Sequence, residues 1–540
     1  MSEDPQGLKQ AISRYMPPLT AADFCDLHAQ KIGNREALVD RTRRLSWSQV
    51  KDLSDRLALG FLRLGLQRDD RILVQLPNVS ALFLTRLACE KAGLRLITVT
   101  TTFRRAELES IIRFTRPAAA IILREHRGFN HHELLENVRT PELKHLLAAG
   151  GDVPSGALSL EEMFSVPVEK NGGAEKLQKT RYTILDVCQI ATTSGSTGIP
   201  KCVEVPLYTR LLTGCIHFKR FGLDSQDTLA AVTSIVSGTA DALAYNGACQ
   251  TGARVVLLDH FSAEETCAVL EEERVTAIPL VPTMMTRLLA LPDLSRYDLS
   301  SLRVVVSHGS FLPYALGLEF EKRLGCRITQ GYGSIDCGGI SAIFRDDPPE
   351  VRLGTVGPPL DGNEVRIVDE KGRDVPRGEA GRLLVRGLHA DARFFNNPDL
   401  NTRSRRQGYF DLQEIGCFDE RGNIVLLGRE KDLIIRGGQN IFPSDVEGLL
   451  IQHPKVLEVS VVGMPDAEMG ERVCAVAVCR DEQSLSLAEV SSFLEEKGVA
   501  RFKWPERLLL VDSLPKVAAG HKIDKKKLKE DLQTRLSLET

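Results

Sequence analysis

Residues 193–201 read T-S-G-S-T-G-I-P-K, a run of hydroxyl side chains and glycines that ends in proline and lysine. The segment before it, D-V-C-Q-I-A-T at 186–192, has the mixed apolar character of a strand. Glycines let backbone N–H groups approach a ligand closely, hydroxyls add donors, and a lysine adds a full positive charge. Consecutive donors of this kind form a concave anion site, so the stretch predicts a loop that binds a polyphosphate.

Two other interpretations of this stretch fit less well. The common P-loop has glycines five residues apart followed by Lys-Ser/Thr, whereas the residue five positions after Gly195 is Pro200. A flexible surface linker needs neither an apolar strand before it nor a Pro-Lys ending. A phosphate-binding loop of another kind is therefore the better interpretation.

The composition indicates a soluble protein with more than one domain. The chain of 540 residues is too long for one ordinary core, and its net charge of −3 provides no overall attraction to nucleic acid or to an anionic membrane. No apolar run approaches the roughly 18–20 residues that cross a bilayer, and the N-terminus lacks a signal-peptide pattern. We therefore expect a cytoplasmic protein. The twelve cysteines lie singly along the chain, which favours buried reduced thiols over a zinc site or disulfides.

Strands and helices are predicted to alternate over most of the chain before residue 350. Arg71–Leu76 has the pattern of a buried strand, Ala81–Ala92 that of a helix and Leu94–Val99 that of another strand. The alternation resumes after the 193–201 stretch, with a helix expected at Ala240–Gln250. Such alternation predicts βαβ units around parallel sheets, and hence an α/β fold.

Other parts of the chain have a different texture. Residues 350–428 carry Gly-, Asp- and Pro-rich turns that are typical of antiparallel strands, and residues from Lys431 onward have the size of a small α+β domain. Residues 125–180 are polar and predict a weakly ordered connection, in which His131 and His132 mark a solvated helix start. Residues 1–20 show no clear pattern and are expected to form a loose entry segment.

The order S-G-S-T-G-x-P-K at 194–201 resembles the phosphate loop of the adenylate-forming (AMP-binding) superfamily, which includes acyl-CoA synthetases, adenylation domains of nonribosomal peptide synthesis and luciferases. Further motifs occur in the order and spacing of an acyl-CoA synthetase or a stand-alone aryl-acid adenylation enzyme. They are R-I-L-V-Q-L-P-N (71–78), V-P-T (281–283), G-Y-G-S-I-D (331–336), G-T-V-G-P-P (354–359), G-R-E-K-D (428–432), R-G-G-Q-N-I-F-P-S-D-V-E (436–447) and H-P-K-V (453–456).

The resemblance implies a domain organisation and an activity. A large AMP-binding domain would span residues 1–429, with a β-barrel-like part at about 350–428, and a small mobile α+β domain would span residues 430–540. A carboxylate would attack the α-phosphorus of ATP with Mg²⁺ present, and a thiol would then displace AMP from the acyl-adenylate. The expected thiol is that of CoA. The alternatives are a carrier-protein phosphopantetheine as acceptor, or a non-catalytic relative that binds nucleotide or acyl ligand. Whether the protein is a monomer or a homodimer stays open.

The resemblance also assigns roles to single residues of the nucleotide site. Tyr332, followed by Gly333, would stack on adenine, Asp336 would coordinate Mg²⁺, and Glu414, with Asp411 as a nearby alternative, would bind the ribose. Lys522 would neutralise charge between the attacking carboxylate and the α-phosphate. The other expected ATP contacts are the phosphate loop (Thr193, Ser194, Gly195, Ser196, Thr197, Gly198 and Lys201, with Thr193 also catalytic), the opposite adenine wall (Gly309, Ser310 and Phe311) and Arg429.

Several positions depart from the pattern of the resembled family. At the adenine wall, S-H-G-S-F at 307–311 stands where many relatives have a Gly-Gly-Ala-Pro stretch. Ile335-Asp336 stands where relatives usually have Thr-Glu, so the carboxylate is one methylene shorter and a hydroxyl is lost. Glu414 ends a Leu-Gln-Glu segment where relatives have Thr-Gly-Asp, which keeps a carboxylate on a longer side chain. His521 is a one-residue insertion before Lys522. The last three departures motivate the non-catalytic alternative.

The resemblance places the acyl pocket around residues 232–241 and 307–339. The small residues there leave room for a bulky or ring-bearing tail, so an aromatic, alicyclic or medium-chain acid is expected, with a lean towards aryl acids. Within these ranges the segments 232–241, 307–310 and 331–339 contain no lysine or arginine to match a second acidic group. Asp241 either meets a polar substituent or caps the next helix. Lys431 would be the hinge, and Gly437 and Gly438 would line the thiol tunnel. The expected pocket residues are Ser237, Gly238, Thr239, His308, Gly331 and Gly338.

Overall fold

The computed structural model of the protein describes residues 4–165, 173–193, 201–236, 238–466, 468–480, 483–516 and 523–539. Its helices and strands alternate up to about residue 330, as the sequence predicts. Among the described residues, no helix combines the length and apolar character needed to cross a membrane. The helices are α1 (Pro5–Ser13), α2 (Ala21–Ile32), α3 (Trp47–Arg63), α4 (Ser80–Ala92), α5 (Arg105–Thr115), α6 (His131–Glu136), α7 (Leu160–Met163), α8 (Gly173–Thr180), α9 (Leu207–Phe221), α10 (Gly238–Ala240), α11 (Ala248–Thr251), α12 (Ala263–Glu272), α13 (Pro282–Leu289), α14 (Tyr314–Leu324), α15 (Pro349–Gly354), α16 (Pro398–Arg403), α17 (Pro443–Leu450), α18 (Leu487–Glu496) and α19 (Lys525–Glu539).

The strands form several sheets whose members come from distant parts of the chain. They are β1 (Glu36–Val39), β2 (Arg44–Ser46), β3 (Arg71–Gln75), β4 (Arg95–Thr98), β5 (Ala119–Leu123), β6 (Glu125–His126), β7 (Phe129–Asn130), β8 (His145–Ala149), β9 (Leu158–Ser159), β10 (Val187–Thr193), β11 (Lys201–Pro206), β12 (Thr228–Ala231), β13 (Arg254–Leu257), β14 (Ala277–Leu280), β15 (Val304–Ser307), β16 (Arg327–Ser334), β17 (Gly338–Ala342), β18 (Asn363–Val368), β19 (Gly381–Gly387), β20 (Arg393–Phe394), β21 (Arg405–Arg406), β22 (Tyr409–Phe418), β23 (Ile424–Arg429), β24 (Ile434–Arg436), β25 (Gln439–Ile441), β26 (Val456–Asp466), β27 (Gly470–Cys479) and β28 (Arg507–Leu510).

Two large sheets, parallel in their centres, make up the first part of the fold. In the described residues one has the order β20-β11-β10-β4-β3-β5-β8-β9 and the other β17-β16-β15-β14-β12-β13-β1-β2. Each includes an antiparallel hairpin near one edge, β10–β11 in the first sheet and β16–β17 in the second. The strand β16 changes partner along its length: Gln330 still pairs in parallel with β15, whereas Gly331 pairs antiparallel with β17.

The remaining strands form two smaller sheets. The antiparallel order β18-β19-β22-β21, with β23 also paired to β22, agrees with the turn-rich texture of residues 350–428. The C-terminal part pairs β25-β24-β27-β26, with β28 beside β27, and packs α17 and α18 against one core. The predicted α/β class with a small α+β C-terminal part is therefore confirmed, while the boundary at residues 429 and 430 stays a prediction.

The long helix α9 passes between the hairpin of the first sheet and that of the second. It follows β11 directly, is buried along most of its length, and ends at Gly222, whose φ of +62° lies in the left-handed region. A π-helical segment at Asp241–Gly247 packs along it. A Cβ on Gly214 would lie 2.6 Å from the carbonyl oxygen of Ala242, so the glycine permits this close approach.

Several local predictions were wrong, each because tertiary packing outweighs local composition. The polar region 125–180 contains β8, which pairs with β5 inside the first sheet and is buried at four of its five residues. His131 is buried rather than solvated, and its Nδ1 lies 3.1 Å from Oε1 of Gln75. The first twenty residues include α1, and the helix expected at Ala240–Gln250 is π-helical over most of its length.

Candidate active site

The two ends of the 193–201 stretch lie side by side in the β10–β11 hairpin. Thr193 pairs with Lys201, so the hairpin register holds the ends of the intervening segment together. The predicted phosphate-binding residues Ser194, Gly195, Ser196, Thr197 and Gly198 lie outside the described residues. What the structure shows of the loop is therefore its anchor, a hydroxyl on one strand beside an ammonium group on the other.

Lys201 connects this hairpin to the second sheet. Its Nζ donates to Oδ2 of Asp336 at 2.8 Å and lies 5.3 Å from the ring centre of Phe394. Asp336 sits in the turn between β16 and β17, and its backbone N–H donates to Oγ of Ser334 at 3.2 Å. Both side chains are partly exposed. The contact therefore joins the end of the phosphate loop to the predicted metal-binding carboxylate.

Tyr332 and Glu414 form a second pair near the same turn. The Tyr332 hydroxyl donates to Oε2 of Glu414 at 2.6 Å, and burial, reinforced by the Glu414 carboxylate, raises the pKa of that tyrosine well above its usual value. Glu414 is also the register partner of Arg429, whose Nε lies 3.6 Å from Oε1. The structure thus brings the predicted adenine-stacking residue next to the predicted ribose-binding residues. Gly333, beside them, has no room for a side chain, since a Cβ would lie 2.7 Å from the carbonyl oxygen of Gly338.

The alternative ribose carboxylate, Asp411, is already engaged. Its Oδ2 accepts a hydrogen bond from Arg382 at 2.9 Å and pairs with Arg406 at 2.7 Å, and the side chain is buried. Gln413 adopts a left-handed φ of +55° between Asp411 and Glu414. Since Asp411 is buried and already pairs with two guanidinium groups, the geometry favours Glu414, the more exposed carboxylate, as the one available to a ligand.

The predicted adenine wall follows β15. Gly309 has a φ of +82°, and both Gly309 and Ser310 are exposed. The ring of Phe311 is 51% exposed and reaches the C-terminal part of the chain, because a Cβ on Gly448 of α17 would lie 3.2 Å from its Cε1. The structure therefore places Phe311 against α17, and its role as an adenine wall stays a prediction.

The predicted acyl-pocket residues lie where β15, β16 and α10 meet, apart from Ser237, which is outside the described residues. A Cβ on Gly238 would lie 4.0 Å from Nδ1 of His308, so these two residues face each other, and Thr239 beside them is buried. Nε2 of His308 is also 3.4 Å from the hydroxyl of Thr233. Small and polar groups therefore line this part of the site.

At two of the predicted pocket positions, packing against neighbouring residues explains why the residue is glycine. A Cβ on Gly338 would lie 1.9 Å from the carbonyl oxygen of His389, so backbone packing alone requires glycine there. A Cβ on Gly331 would lie 3.2 Å from Cε1 of His217, a residue of α9 that belongs to none of the recognised motifs. The small size of these two residues therefore accommodates neighbouring protein groups, which is a structural reason for glycine apart from any ligand.

Asp241 is neither a helix cap nor open to a substituent. It is fully buried, its Oδ1 pairs with Arg86 at 2.8 Å, and its Oδ2 lies 3.5 Å from Nε of Arg210. The preceding residue, Ala240, occupies the cap position without a side-chain hydrogen bond. The arginines come from α4 and α9, which explains why no basic residue was visible in the pocket stretches of the sequence.

A small cavity of about 20 Å³ lies beside this ion pair. Its lining includes Arg86, Arg210, Glu90 and Gln189. Burial raises the pKa of Glu90 to about 7, although the N–H of Ala22 and the Arg86 charge act in the opposite direction. The volume suits a single water molecule rather than an acyl group.

The predicted hinge and tunnel residues lie at the start of the C-terminal part. Lys431 is exposed in a short 3₁₀ turn, Glu430–Asp432. Gly437 and Gly438 are the two central residues of the β24–β25 hairpin, with φ values of +54° and +80°. They therefore lie in a turn rather than within a strand, and the turn itself requires glycine-like backbone angles. A Cβ on Gly438 would meet no atom within 4 Å, so one side of this turn is open.

Lys522 and His521 lie outside the described residues, and the residues on either side contact each other. Lys516 and Ile523 form an antiparallel bridge, and the N–H of Asp524 donates to the carbonyl of Pro515 at 2.8 Å. Lys525 would take the catalytic position if the motif were aligned three residues further along the chain. Its Nζ is already engaged within the C-terminal part, 2.7 Å from Oε1 of Glu447.

The residues present are compatible with Mg²⁺. Magnesium typically takes one or two protein carboxylates and completes its shell with substrate phosphates and water. Asp336 supplies one such carboxylate at the end of the phosphate loop, and its contact with Lys201 orients it. Among the described residues no group of three or more metal-binding side chains was found, so the remaining ligands would be phosphate oxygens and water.

Comparison with known proteins agrees with this arrangement. The model of the AMP-binding enzyme family matches residues 25–390, and that of the AMP-binding enzyme C-terminal domain matches residues 445–521. The chain is 32% identical over 513 residues to 2-hydroxy-7-methoxy-5-methyl-1-naphthoate–CoA ligase of Streptomyces carzinostaticus, with 93% of this chain and 91% of the relative covered. It is 31% identical over 522 residues to 2,3-dihydroxybenzoate-AMP ligase of Bacillus subtilis strain 168, with 96% and 94% covered.

A solved structure shares the whole architecture. The anthranilate CoA ligase AuaEII, crystallised with anthranoyl-AMP, superimposes with a TM-score of 0.88 at 25% identity and covers 97% of this chain and 99% of its own. The family matches span most of both parts of the fold, and the paired residues Lys201–Asp336 and Tyr332–Glu414 occur at the motif positions. The protein belongs to the AMP-binding enzyme family, that is, to the adenylate-forming superfamily.

Proposed function

We propose that the protein is an ATP-dependent acid–CoA ligase whose substrate is an aromatic carboxylic acid. The observation that carries the proposal is the contact between Lys201 and Asp336, because it joins the phosphate loop to the β16–β17 hairpin, whose strand β16 carries Tyr332. The aromatic acid is suggested by relatives named for a naphthoate, a dihydroxybenzoate and an anthranilate.

The proposed reaction has two displacement steps. A carboxylate oxygen bonds to the α-phosphorus of ATP while the bond between the α-phosphorus and the bridging oxygen breaks, and pyrophosphate leaves. The thiol sulfur then bonds to the acyl carbon, AMP leaves with the former carboxylate oxygen, and the thiol proton is released. Because an anion attacks a polyanion in the first step, charge neutralisation and positioning are the main tasks of the protein.

The residues of this chain suit those tasks. Lys201 and the phosphate loop would bind the β- and γ-phosphates, and Glu414 with Arg429 would hold the ribose beside Tyr332. Asp336 would hold Mg²⁺, which neutralises phosphate charge when bound. Lys522 would add a positive charge between carboxylate and α-phosphate. The hairpin of Gly437 and Gly438 would face the thiol, and Lys431 would serve as the hinge.

The experiment that tests this proposal is acid-dependent exchange of pyrophosphate with ATP, measured over a panel of aromatic, alicyclic and medium-chain acids. Exchange with at least one aromatic acid, followed by saturable CoA-dependent release of AMP, is expected. Exchange without a response to CoA, but with transfer to a phosphopantetheinylated carrier protein, would replace CoA by a carrier as acceptor. The absence of exchange with every acid would refute the enzyme assignment and favour a non-catalytic binding protein.

A further inference from the structure

His217 is a buried side chain without a hydrogen-bond partner among the described residues. It lies on α9, is 4% exposed, and both its Nδ1 and its Nε2 lack a partner. Its ring stacks on Phe221 at a centroid distance of 5.0 Å and an interplanar angle of 28°. Stacking explains how the ring packs but leaves two polar nitrogens unsatisfied.

Such an arrangement is unusual in a protein interior. The large majority of buried polar side-chain atoms have a partner, and an unsatisfied one destabilises the folded protein by its full loss of hydration. His389, which also lies near α9, shows the ordinary case: its Nδ1 lies 3.0 Å from the hydroxyl of Thr213 and its Nε2 3.0 Å from the carbonyl of Asp361. The unsatisfied ring of His217 therefore calls for a partner that arrives with a ligand.

The position of His217 shows where such a ligand would lie. The ring fills the space beside Gly331, since a Cβ on that residue would be 3.2 Å from Cε1 and 3.3 Å from Nε2. Gly331 directly precedes Tyr332 at the point where β16 leaves β15 and turns into its hairpin with β17. No side chain on Gly331 separates the ring from this bend, so the imidazole borders the proposed acyl pocket.

The charge state of His217 restricts the chemistry. Burial lowers the pKa of the ring to about 3, and electrostatic repulsion from His389, Arg220 and His308 acts in the same direction. The ring is therefore neutral in neutral solution and offers one N–H donor and one nitrogen acceptor. A neutral ring suits a hydroxyl group, which can donate and accept, better than a second carboxylate, which would need a cation.

We infer that His217 is a specificity-determining residue that hydrogen-bonds a neutral substituent, a hydroxyl group, on the ring of the acid. This inference rests on the proposed function and deepens it: the substrate class becomes hydroxylated aromatic acids. Oδ2 of Asp241 and the hydroxyl of Thr329 are also buried without a hydrogen-bond partner, but the charge of Asp241 is balanced by Arg86 and Arg210. Of these unpartnered groups, His217 is the one with a polar atom among the nearest neighbours of a Cβ on Gly331, at 3.3 Å.

The test compares matched acids on matched variants. Pyrophosphate exchange is measured with benzoate and with 2-, 3- and 4-hydroxybenzoate for the wild type, His217→Leu and His217→Asn. We expect the wild type to prefer one hydroxybenzoate over benzoate in kcat/KM. His217→Leu should reduce that preference about tenfold or more, through the hydroxylated acid alone, and His217→Asn should retain part of it.

A buried histidine elsewhere serves as the control. His131 also lies in the interior, with Nδ1 bonded to Gln75, but it packs in the first sheet on α6. His131→Leu should leave the preference among acids unchanged, whatever it does to stability. An equal change of preference in both variants would mean that any buried histidine has this effect, and would overturn the inference.

A second readout concerns the free protein. If the ring nitrogens are unsatisfied without ligand, His217→Leu should raise Tm, because an apolar side chain replaces two unsatisfied buried polar atoms. A clear fall in Tm would show that the nitrogens are already bonded inside the protein and would overturn the inference. A wild type that activates benzoate and the hydroxybenzoates equally would also overturn it while leaving the proposed function intact. If no acid supports exchange, the proposed function fails first.

Discussion

Nζ of Lys201 lies 2.8 Å from Oδ2 of Asp336, although the two residues are 135 positions apart in the chain. The lysine ends the phosphate-loop stretch on β11, and the aspartate ends the G-Y-G-S-I-D stretch after β16. The pair therefore joins two hairpins from two different sheets. A positive group for phosphates and a carboxylate for Mg²⁺ would act within one hydrogen-bond length of each other.

Removing the charge of Asp336 should impair adenylation. We expect Asp336→Asn to lower kcat/KM for ATP in pyrophosphate exchange by about 10²–10³-fold, since a preorganised charged group at the phosphates is lost. Asp336→Glu, which keeps the carboxylate, should recover much of the rate. The Mg²⁺ concentration that gives half-maximal exchange should rise more in Asp336→Asn than in Asp336→Glu.

Glu204 provides the control for this pair. It lies on β11 as well and pairs with Arg95 at 2.9 Å, away from the β16–β17 turn. Glu204→Gln should leave the rate of pyrophosphate exchange within about twofold of the wild type, because a partly exposed ion pair away from the site contributes little. Equal losses in Asp336→Asn and Glu204→Gln would argue against a specific role for Asp336.

The hydroxyl of Tyr332 should affect ATP binding more than the chemical step. Tyr332→Phe keeps the ring that would stack on adenine but removes the 2.6 Å hydrogen bond to Glu414. We expect KM for ATP to rise about three- to tenfold with little change in kcat, because the loss corresponds to one hydrogen bond to a charged group. Steady-state kinetics with varied ATP measure this.

A similar tyrosine–glutamate pair outside the site is the control. The Tyr409 hydroxyl donates to Oε1 of Glu364 at 2.5 Å. Tyr409→Phe should leave KM for ATP unchanged. If Tyr332→Phe lowered kcat alone, the hydroxyl would act in catalysis rather than in orienting Glu414.

The two candidate lysines of the C-terminal segment should behave differently. Lys522→Ala should abolish pyrophosphate exchange, because the proposed charge between carboxylate and α-phosphate is lost. Lys525→Ala should leave exchange nearly intact and lower the free energy of unfolding by about 1 kcal/mol, since it breaks a partly buried ion pair. That pair is the 2.7 Å contact between Nζ of Lys525 and Glu447. The reverse pattern of activities would shift the catalytic assignment to Lys525.

Glu90 should make the stability depend on pH. Burial raises its pKa in the folded protein to about 7 from the ordinary 4.5. The folded state therefore retains a proton that the unfolded state releases, and the free energy of unfolding should fall as pH rises from about 4.5 to 7, by about 3 kcal/mol, and then level off.

The substitution Glu90→Gln should remove this pH dependence while keeping an acceptor for the N–H of Ala22, which lies 3.0 Å from Oε2. Urea unfolding at several pH values between about 4 and 8 would measure it. A wild type and variant with parallel stability curves across that range would show that Glu90 has an ordinary pKa in the folded protein.

The hairpin turn at Gly438 should matter for the thiol step only. Gly438→Ala places a methyl group in open space, at a backbone strain of about 1–2 kcal/mol for the left-handed conformation. Gly498, with a φ of +69° and no atom within 4 Å of a Cβ, has the same properties elsewhere in the C-terminal part. If the turn borders the path of the thiol, Gly438→Ala should slow CoA-dependent release of AMP and spare pyrophosphate exchange. Gly498→Ala should affect neither rate. If both variants changed the rates equally, a general loss of stability would explain the effect, and the turn at Gly438 would have no specific role in the thiol step.

Local patterns in the sequence determined the class of fold and most of the functional motifs. A buried strand such as β3 and a helix such as α4 follow from hydrophobic periodicity, and the phosphate loop follows from its glycines, hydroxyls and lysine. These features depend on neighbouring residues alone. The order of the elements follows from these patterns. The family and the candidate carboxylates Asp336 and Glu414 are what the resemblance of the motifs to the adenylate-forming superfamily implies.

Only the tertiary structure determined the contacts between distant segments of the chain. Arg86 and Arg210, from two other helices, balance the charge of Asp241. Asp411 pairs with arginines and is therefore not the carboxylate available to a ligand. Gly331 has little room for a side chain because His217 occupies the adjoining space. No periodicity records which side chains meet across two sheets. The reason is physical: a side chain's local neighbours set its backbone conformation, whereas its burial, its charge state and its free hydrogen-bonding capacity depend on the whole packed interior.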